Sequence, residues 1–212
     1  AADFSLFSAA VHMGLTGTTR SSAQVAERVD HLSRAIGKRL GFNPHEGTEW
    51  DRVVALYSLN TVRGHAYQSG RRNKLKAIDQ IDYIPFTHAV HRLSGVVTPA
   101  SAAYSHQELE HQLRTSGAKA LFTCIPLLEN ALKAAQGADL PLDRIFILPV
   151  PNVPHNVSHA TIEDLIEEGK ALPALSPLKW SKGQGARQTA YLSYSSGTSG
   201  LPVSSSTPRL TM

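Results

Sequence analysis

Tyr191-Leu-Ser-Tyr-Ser-Ser-Gly-Thr-Ser-Gly-Leu-Pro202 is the stretch around which this 212-residue chain is organised. Tyr191 to Tyr194 alternates bulky and small residues, which predicts the end of a buried strand. The next six residues carry only short hydroxyl-bearing side chains or a hydrogen, so they cannot build an apolar core. They can instead fold around an anion, offering backbone N–H groups and hydroxyl donors without bulk. We therefore predict a phosphate-binding loop that consists of Ser195, Ser196, Gly197, Thr198, Ser199 and Gly200.

A flexible connector is the alternative for the same six residues, because Ser and Gly also dominate unstructured linkers. Composition alone leaves both open. The strand-like residues before the loop and Leu201-Pro202 after it favour an ordered loop. A nucleotide-binding loop of the Gly-x-x-x-x-Gly-Lys-Ser/Thr type is excluded, because neither Gly-Lys-Ser nor Gly-Lys-Thr occurs in the chain.

Apolar periodicity upstream of the loop predicts alternating strands and helices. Ser21 or Ser22 can cap a first helix that Gly41 ends, and Ser105 with Glu108 has the pattern of a capping box. The alternation predicts an α/β fold with a mostly parallel sheet flanked by helices. Helices are expected at about 22–40, 83–93, 106–116, 126–136 and 162–169, and strands at 51–58, 95–99, 120–124 and 144–150, with 173–188 irregular.

The stretch from Tyr194 to Pro202 resembles the signature phosphate-binding loop of the AMP-forming (adenylating) synthetases, usually Ser-Ser-Gly-Thr-Thr-Gly-x-Pro-Lys-Gly. The run Leu93 to Gly117 is similar to a second block of that superfamily, in which a Gly-Val-Val strand leads to a Tyr-Ser/Thr-x-x-Glu-Leu helix. The resemblance covers about residues 18 to 61 and 81 to 202. The chain departs from it at Val203, where the superfamily has a lysine, and the rest of the tail matches nothing in it.

The resemblance implies that the loop from Ser195 to Gly200 holds the phosphates of ATP. It also implies Mg²⁺, CoA and a small-molecule carboxylic acid as the cofactors and substrates of an acyl-CoA ligase similar to 4-coumarate–CoA ligases. By resemblance, the adenine pocket, the acyl pocket and the C-terminal domain follow this loop. We therefore expect an N-terminal part that has no ligase activity alone and no identified catalytic residue.

Two other classes stay open at this point. A carrier-linked amino-acid adenylation domain would differ mainly in an acyl pocket that the resemblance places after the loop. A non-enzymatic truncated product is the second alternative. Half of a sheet domain would leave apolar faces uncovered, so the solubility of the chain distinguishes this alternative.

The net charge of +4 belongs to one short segment and does not indicate nucleic-acid binding. Residues 62–80 contain five basic residues and one acidic residue, and the remainder of the chain contains 16 of each. This polar segment has no apolar face and interrupts the pattern of the resemblance. We expect residues 1–202 to form a partial adenylation domain with an insertion at 62–80, followed by an atypical tail at 203–212. Translated intron sequence is the favoured origin of both segments, and a genuine surface insertion is the alternative for 62–80.

The remaining features favour an intracellular protein, cytoplasmic or peroxisomal and not secreted. The single cysteine, Cys124, excludes an internal disulfide and suits a reducing compartment. No apolar run reaches the roughly 20 residues of a membrane span. His88 and His91 could ligate a metal, but no third ligand is placed, so we expect no metal site.

Overall fold

The computed structural model describes residues 11–12, 19–59, 82–151, 153–154, 156–195 and 203–208. The elements are, in order, β1 (Val11–His12), β2 (Thr19–Arg20), α1 (Ser22–Leu40), β3 (Val53–Tyr57), α2 (Tyr83–Arg92), β4 (Val96–Ala100), α3 (His106–Ser116), β5 (Ala120–Thr123), α4 (Leu128–Gly137), β6 (Ile145–Ile147), α5 (Ile162–Lys170), α6 (Gln184–Arg187), β7 (Thr189–Ser195) and β8 (Val203–Pro208).

Six strands form one sheet in the order β6-β5-β3-β4-β7-β8. The first five strands run parallel, and β8 pairs antiparallel with β7. All five residues of β3 are buried, as expected for a parallel strand whose two faces are both covered by helices. The predicted α/β fold with a mostly parallel, helix-flanked sheet is therefore confirmed. β1 and β2 form a separate antiparallel pair.

The apolar core has two layers, one on each face of the sheet. Helices α1, α2 and α5 cover the first face, where the Phe122 ring lies between Phe86 at 4.4 Å and Phe146 at 4.8 Å, measured between ring centroids. Helices α3 and α4 cover the second face, which carries Ala55 and Leu121. Successive residues of a strand point to opposite faces, so each buried strand contributes to both layers.

Local sequence signals set the helix ends where they were predicted. The Ser21 side chain accepts a hydrogen bond from the backbone N–H of Gln24, and Gly41 ends α1 with φ of 68°. Ser105 and Glu108 form the predicted capping box of α3. These bonds satisfy backbone groups that a helix end leaves without partners, so the boundaries follow from short-range chemistry.

An ion-pair network anchors Asp82, the N-cap residue of α2. Asp82 pairs with Arg20, and also with Arg28 at 2.7 Å, and Arg28 contacts Glu163 of α5 at 2.6 Å. Burial lowers the pKa of Arg28, but the hydrogen bond with Glu163 and the charges of Asp82 and Glu163 outweigh this effect and raise it. The network therefore connects β2, α1, the start of α2 and α5.

Several boundaries differ from the prediction. Glu49–Arg52 form a 3-10 turn before β3, and Ile125–Leu127 form another before α4, because short-range caps and Pro126 tighten the chain there. The region 173–188, predicted as irregular, contains the short helix α6. The backbone of Val203–Pro208, part of the segment predicted as an atypical tail, pairs with β7.

Within the described ranges, no helix has both the length and the apolarity required to cross a lipid bilayer.

Candidate phosphate-binding site

The predicted phosphate-binding loop begins where β7 ends. Ser195 is the last residue of β7 and is exposed to solvent. The other five candidate residues, Ser196, Gly197, Thr198, Ser199 and Gly200, lie outside the described residues. The structure therefore places the entrance to the loop at the carboxyl end of a parallel strand, the side from which α/β sheets bind ligands.

Strand β8 holds the far end of the same connection beside its beginning. Ser195 is the register partner of Val203, and Tyr194 is the register partner of Ser204. Residues opposite one another in an antiparallel pair have Cα atoms roughly 4.5–5.5 Å apart. Ser195 and Val203, the described residues on either side of positions 196–202, therefore lie opposite each other in the sheet.

Residues from α2 support β7 on one face of the sheet. His91 Nε2 lies 3.0 Å from the carbonyl oxygen of Ala190, and the His91 ring meets the Tyr191 ring edge-on at 5.1 Å between centroids. Tyr83 lies in the same part of the core, where burial and then Tyr191 raise its pKa. These contacts position the strand before the loop begins.

The order of the strands offers a second location for a ligand. The connection that leaves β3 goes to β4 and the connection that leaves the adjacent β5 goes to β6, in opposite directions across the sheet, so a crevice is expected between the carboxyl ends of β3 and β5. Ser58 Oγ and Thr123 Oγ1, at those ends, are buried and have no hydrogen-bond partner among the residues that the structure describes. β4 separates β3 from β7, so this crevice and the loop entrance are distinct places on the carboxyl edge.

The histidine pair is engaged in packing. The rings of His88 and His91 have centroids 6.3 Å apart, and His91 Nε2 contacts a backbone carbonyl oxygen. Over the described part of the chain, no group of three or more His, Cys, Asp or Glu side chains could hold a metal ion. Cys124 is a buried free thiol.

The fold and the strand-to-loop entrance define an α/β protein with a helix-covered parallel sheet, and sequence comparison identifies the group within that class. The chain belongs to the AMP-binding enzyme family, whose sequence pattern matches residues 75–202. The predicted resemblance to AMP-forming synthetases is thereby confirmed.

Curated relatives of the chain are acyl-CoA ligases of fungi. The acyl-CoA ligase cm3C of Cordyceps militaris is 35% identical over 88% of this chain and 29% of its own length. The acyl-CoA ligase frbB of Dothideomycetidae sp. is 37% identical over 88% of this chain and 31% of its own length. The chain thus spans less than a third of the length of these relatives.

Solved structures share the fold. The anthranilate CoA ligase AuaEII, determined with anthranoyl-AMP, superimposes with a TM-score of 0.69 and 16% identity, over 97% of this chain and 33% of its own. The luciferase-like enzyme of the mealworm Zophobas morio gives a TM-score of 0.61 and 20% identity, over 91% of this chain and 37% of its own. At these identities the likeness concerns the fold alone.

Proposed function

We propose that this chain is the N-terminal part of an AMP-forming acyl-CoA ligase and has no ligase activity by itself. In the ligase reaction the oxygen of a carboxylate attacks the α-phosphorus of ATP, forming an acyl-adenylate and releasing pyrophosphate. The thiol of CoA then attacks the acyl carbonyl carbon, forming a thioester and releasing AMP. Membership of the AMP-binding enzyme family and the 35% and 37% identities to acyl-CoA ligases support the proposal.

The described residues contribute the entrance of the phosphate-binding loop in this proposal. The observation that carries it is the position of Ser195 at the carboxyl end of β7, with Val203 as its register partner. Negative charge shifts between phosphate oxygens during the reaction, so fixed N–H and hydroxyl donors stabilise it. The donors are the hydroxyls of Ser195, Ser196, Thr198 and Ser199 and the backbone N–H groups of Gly197 and Gly200.

Mg²⁺ bound to the phosphates of ATP would neutralise part of their charge, and the described residues include no group of ligands that would hold it. Val203 stands where the resemblance has a lysine, so the loop of this chain has one cation fewer than the usual pattern. We infer a weaker grip on ATP than that pattern provides.

The proposed domain organisation follows from the same reasoning. Residues 1–202 form part of an adenylation domain, and 62–80 is an insertion between β3 and α2. Two features of the described fold support this: β3 ends at Tyr57, and Asp82, just before α2, is held by the ion pairs with Arg20 and Arg28. The elements on either side of the proposed insertion, β3 and α2, thus both belong to the α/β fold.

Calorimetry with ATP and Mg²⁺ on the 212-residue chain tests the proposed site. Inorganic triphosphate should compete with ATP, and AMP should compete at least tenfold less well, because the loop recognises the phosphate chain. Thr198→Val should weaken ATP binding by roughly 5- to 10-fold, the effect of one hydrogen bond to a charged group.

Thr87→Val is the matched control, since the Thr87 hydroxyl donates to the carbonyl oxygen of Ile84 within α2 at 3.0 Å. This control should bind ATP as the unmodified chain does. The proposal is wrong for this loop if ATP does not bind, or if Thr198→Val and Thr87→Val have equal affinities.

A further inference from the structure

Two hydrogen-bonded connections link α3 to the last residues of β7. At the surface, Thr115 Oγ1 and the Tyr194 hydroxyl are 2.8 Å apart, although 79 positions separate them in the chain. In the interior, Gln112 Nε2 donates to Thr98 Oγ1 at 2.7 Å, and Thr98 Oγ1 donates to the carbonyl oxygen of Leu192 at 2.8 Å. α3 therefore contacts β7 both directly and through β4.

The interior connection is fully shielded from water. Thr98 and Gln112 are both 0% exposed, and Gln112 Nε2 also lies 3.2 Å from the carbonyl oxygen of Pro99. A buried polar group that loses its partner is costly, so this arrangement has few alternatives of similar free energy. The connection consequently specifies one position of β7 relative to β4 and α3.

The two connections act on the part of β7 that lies beyond its register pair with β4. That register pair is Val97 with Tyr191, and the bonded residues Leu192 and Tyr194 both follow it. Leu192 and Tyr194 also share a small apolar cluster with Val53 and Val96. The carboxyl half of β7 is therefore aligned by α3 as well as by the sheet.

We propose that Thr98, Gln112 and Thr115 are positioning residues for the phosphate-binding loop. They hold the carboxyl half of β7 and thereby set the direction in which the chain enters the loop at Ser195. This inference rests on the proposed function, because it assigns the alignment of β7 to the grip on the phosphates of ATP. None of the three residues touches ATP in this proposal, and each acts through β7.

Paired substitutions in the 212-residue chain separate the effect of losing a hydrogen bond from the effect of changing the size of the side chain. Thr115→Val and Thr98→Val remove a hydroxyl group, whereas Thr115→Ser and Thr98→Ser keep it. Tyr194→Phe removes the other partner of the surface connection. Tyr57→Phe is the control on β3, which β4 separates from β7, since the Tyr57 hydroxyl donates to the carbonyl oxygen of Tyr104 at 2.9 Å.

The first measurement is hydrogen–deuterium exchange of the backbone amides of residues 189–195. Thr115→Val and Tyr194→Phe should each accelerate this exchange by roughly 2- to 10-fold, as expected for one lost hydrogen bond. The double variant should exchange no faster than either single variant, because both remove the bond between Thr115 and Tyr194. Thr115→Val also removes the bond that Thr115 Oγ1 donates to the carbonyl oxygen of His111 at 2.7 Å, but that bond lies within α3 and does not involve β7. Thr115→Ser, Thr98→Ser and Tyr57→Phe should leave the exchange of this segment unchanged.

The second measurement is calorimetric affinity for ATP with Mg²⁺. Thr115→Val, Thr98→Val and Tyr194→Phe should each bind ATP roughly 2- to 10-fold more weakly than the unmodified chain. Thr115→Ser and Thr98→Ser should bind ATP with unchanged affinity. If Thr98→Val does not fold, Tyr194→Phe and Thr115→Val still test the proposal, because the bond that they remove lies at the surface and its loss leaves no buried polar group without a partner.

The outcomes distinguish the two proposals. Failure of the unmodified chain to bind ATP overturns the proposed phosphate-binding role of the loop, and the alignment of β7 is then judged by exchange alone. Unchanged exchange in Thr115→Val and Tyr194→Phe, or equal acceleration in Tyr57→Phe, overturns the positioning of β7. Accelerated exchange with unchanged ATP affinity overturns the assignment of this alignment to phosphate binding.

Discussion

Replacing Gly169 by alanine should break the contact between α1 and α5. Gly169 is the penultimate residue of α5, and a Cβ atom built on it would lie 1.9 Å from the carbonyl oxygen of His31 and 2.5 Å from its carbonyl carbon. Cβ atoms essentially never come within 3.0 Å of such atoms, so one helix must move by about an ångström. The obstacle is backbone, which cannot rotate away as a side chain can.

The expected loss follows from two opposing effects. Overpacking in a close-packed core costs typically about 1–3 kcal/mol or more, and the severe contact here belongs to the upper part of that range. Alanine gains about 1 kcal/mol over glycine inside a helix. We expect a net loss of roughly 1–2 kcal/mol in the free energy of unfolding.

Gly37→Ala in α1 is the matched control. Its nearest neighbour would be Leu93 Cδ2 at 3.2 Å, the end of a side chain that can adjust by a few tenths of an ångström. The gain in helix propensity should offset this contact, leaving stability within about 0.5 kcal/mol of the unmodified chain. Urea unfolding followed by circular dichroism measures both variants. Equal stability of Gly169→Ala and Gly37→Ala would refute the reasoning.

Three further predictions concern ATP binding, the insertion and acid stability. Val203→Lys should tighten ATP binding about tenfold, because a charged hydrogen bond to phosphate contributes roughly 1.4 kcal/mol. Calorimetry measures the affinity, and an equal affinity of the uncharged variant Val203→Gln would contradict this prediction. Deleting residues 62–80 should raise the free energy of unfolding by roughly 1–2 kcal/mol through a shorter loop, and a deletion variant without cooperative urea unfolding would show that the segment belongs to the fold. Hydrogen bonds from Ser105, first from its backbone N–H and then from its hydroxyl, lower the pKa of Glu108 below the ordinary 4.5. These bonds therefore stabilise the folded chain above pH 4.5, and their contribution is lost as the pH falls through the lowered pKa. The melting temperatures of Glu108→Gln and the unmodified chain should consequently converge in acid. A constant difference from pH 7 to pH 3 would contradict this.

Part of the candidate loop and its surroundings could be predicted from the sequence alone. The strand ending near Tyr194, the run of hydroxyl and glycine residues after it, and the family to which they belong were all readable from the chain. The pairing of Val203 with Ser195 was not, because the tail carries no apolar alternation that marks a strand. The residues that hold β7 from α3 also carry no motif of their own.

The limits of α1 and α3 and the fold class were determined by the sequence itself. Caps such as Ser21 with Gln24 and Ser105 with Glu108 act over three residues, and apolar periodicity acts within one element. Only the tertiary structure decided that β7 returns beside β4 and that Thr115 meets Tyr194 across 79 positions. The physical reason is that strand order and such contacts depend on how distant surfaces fill a common core, and local preference carries no information about that choice.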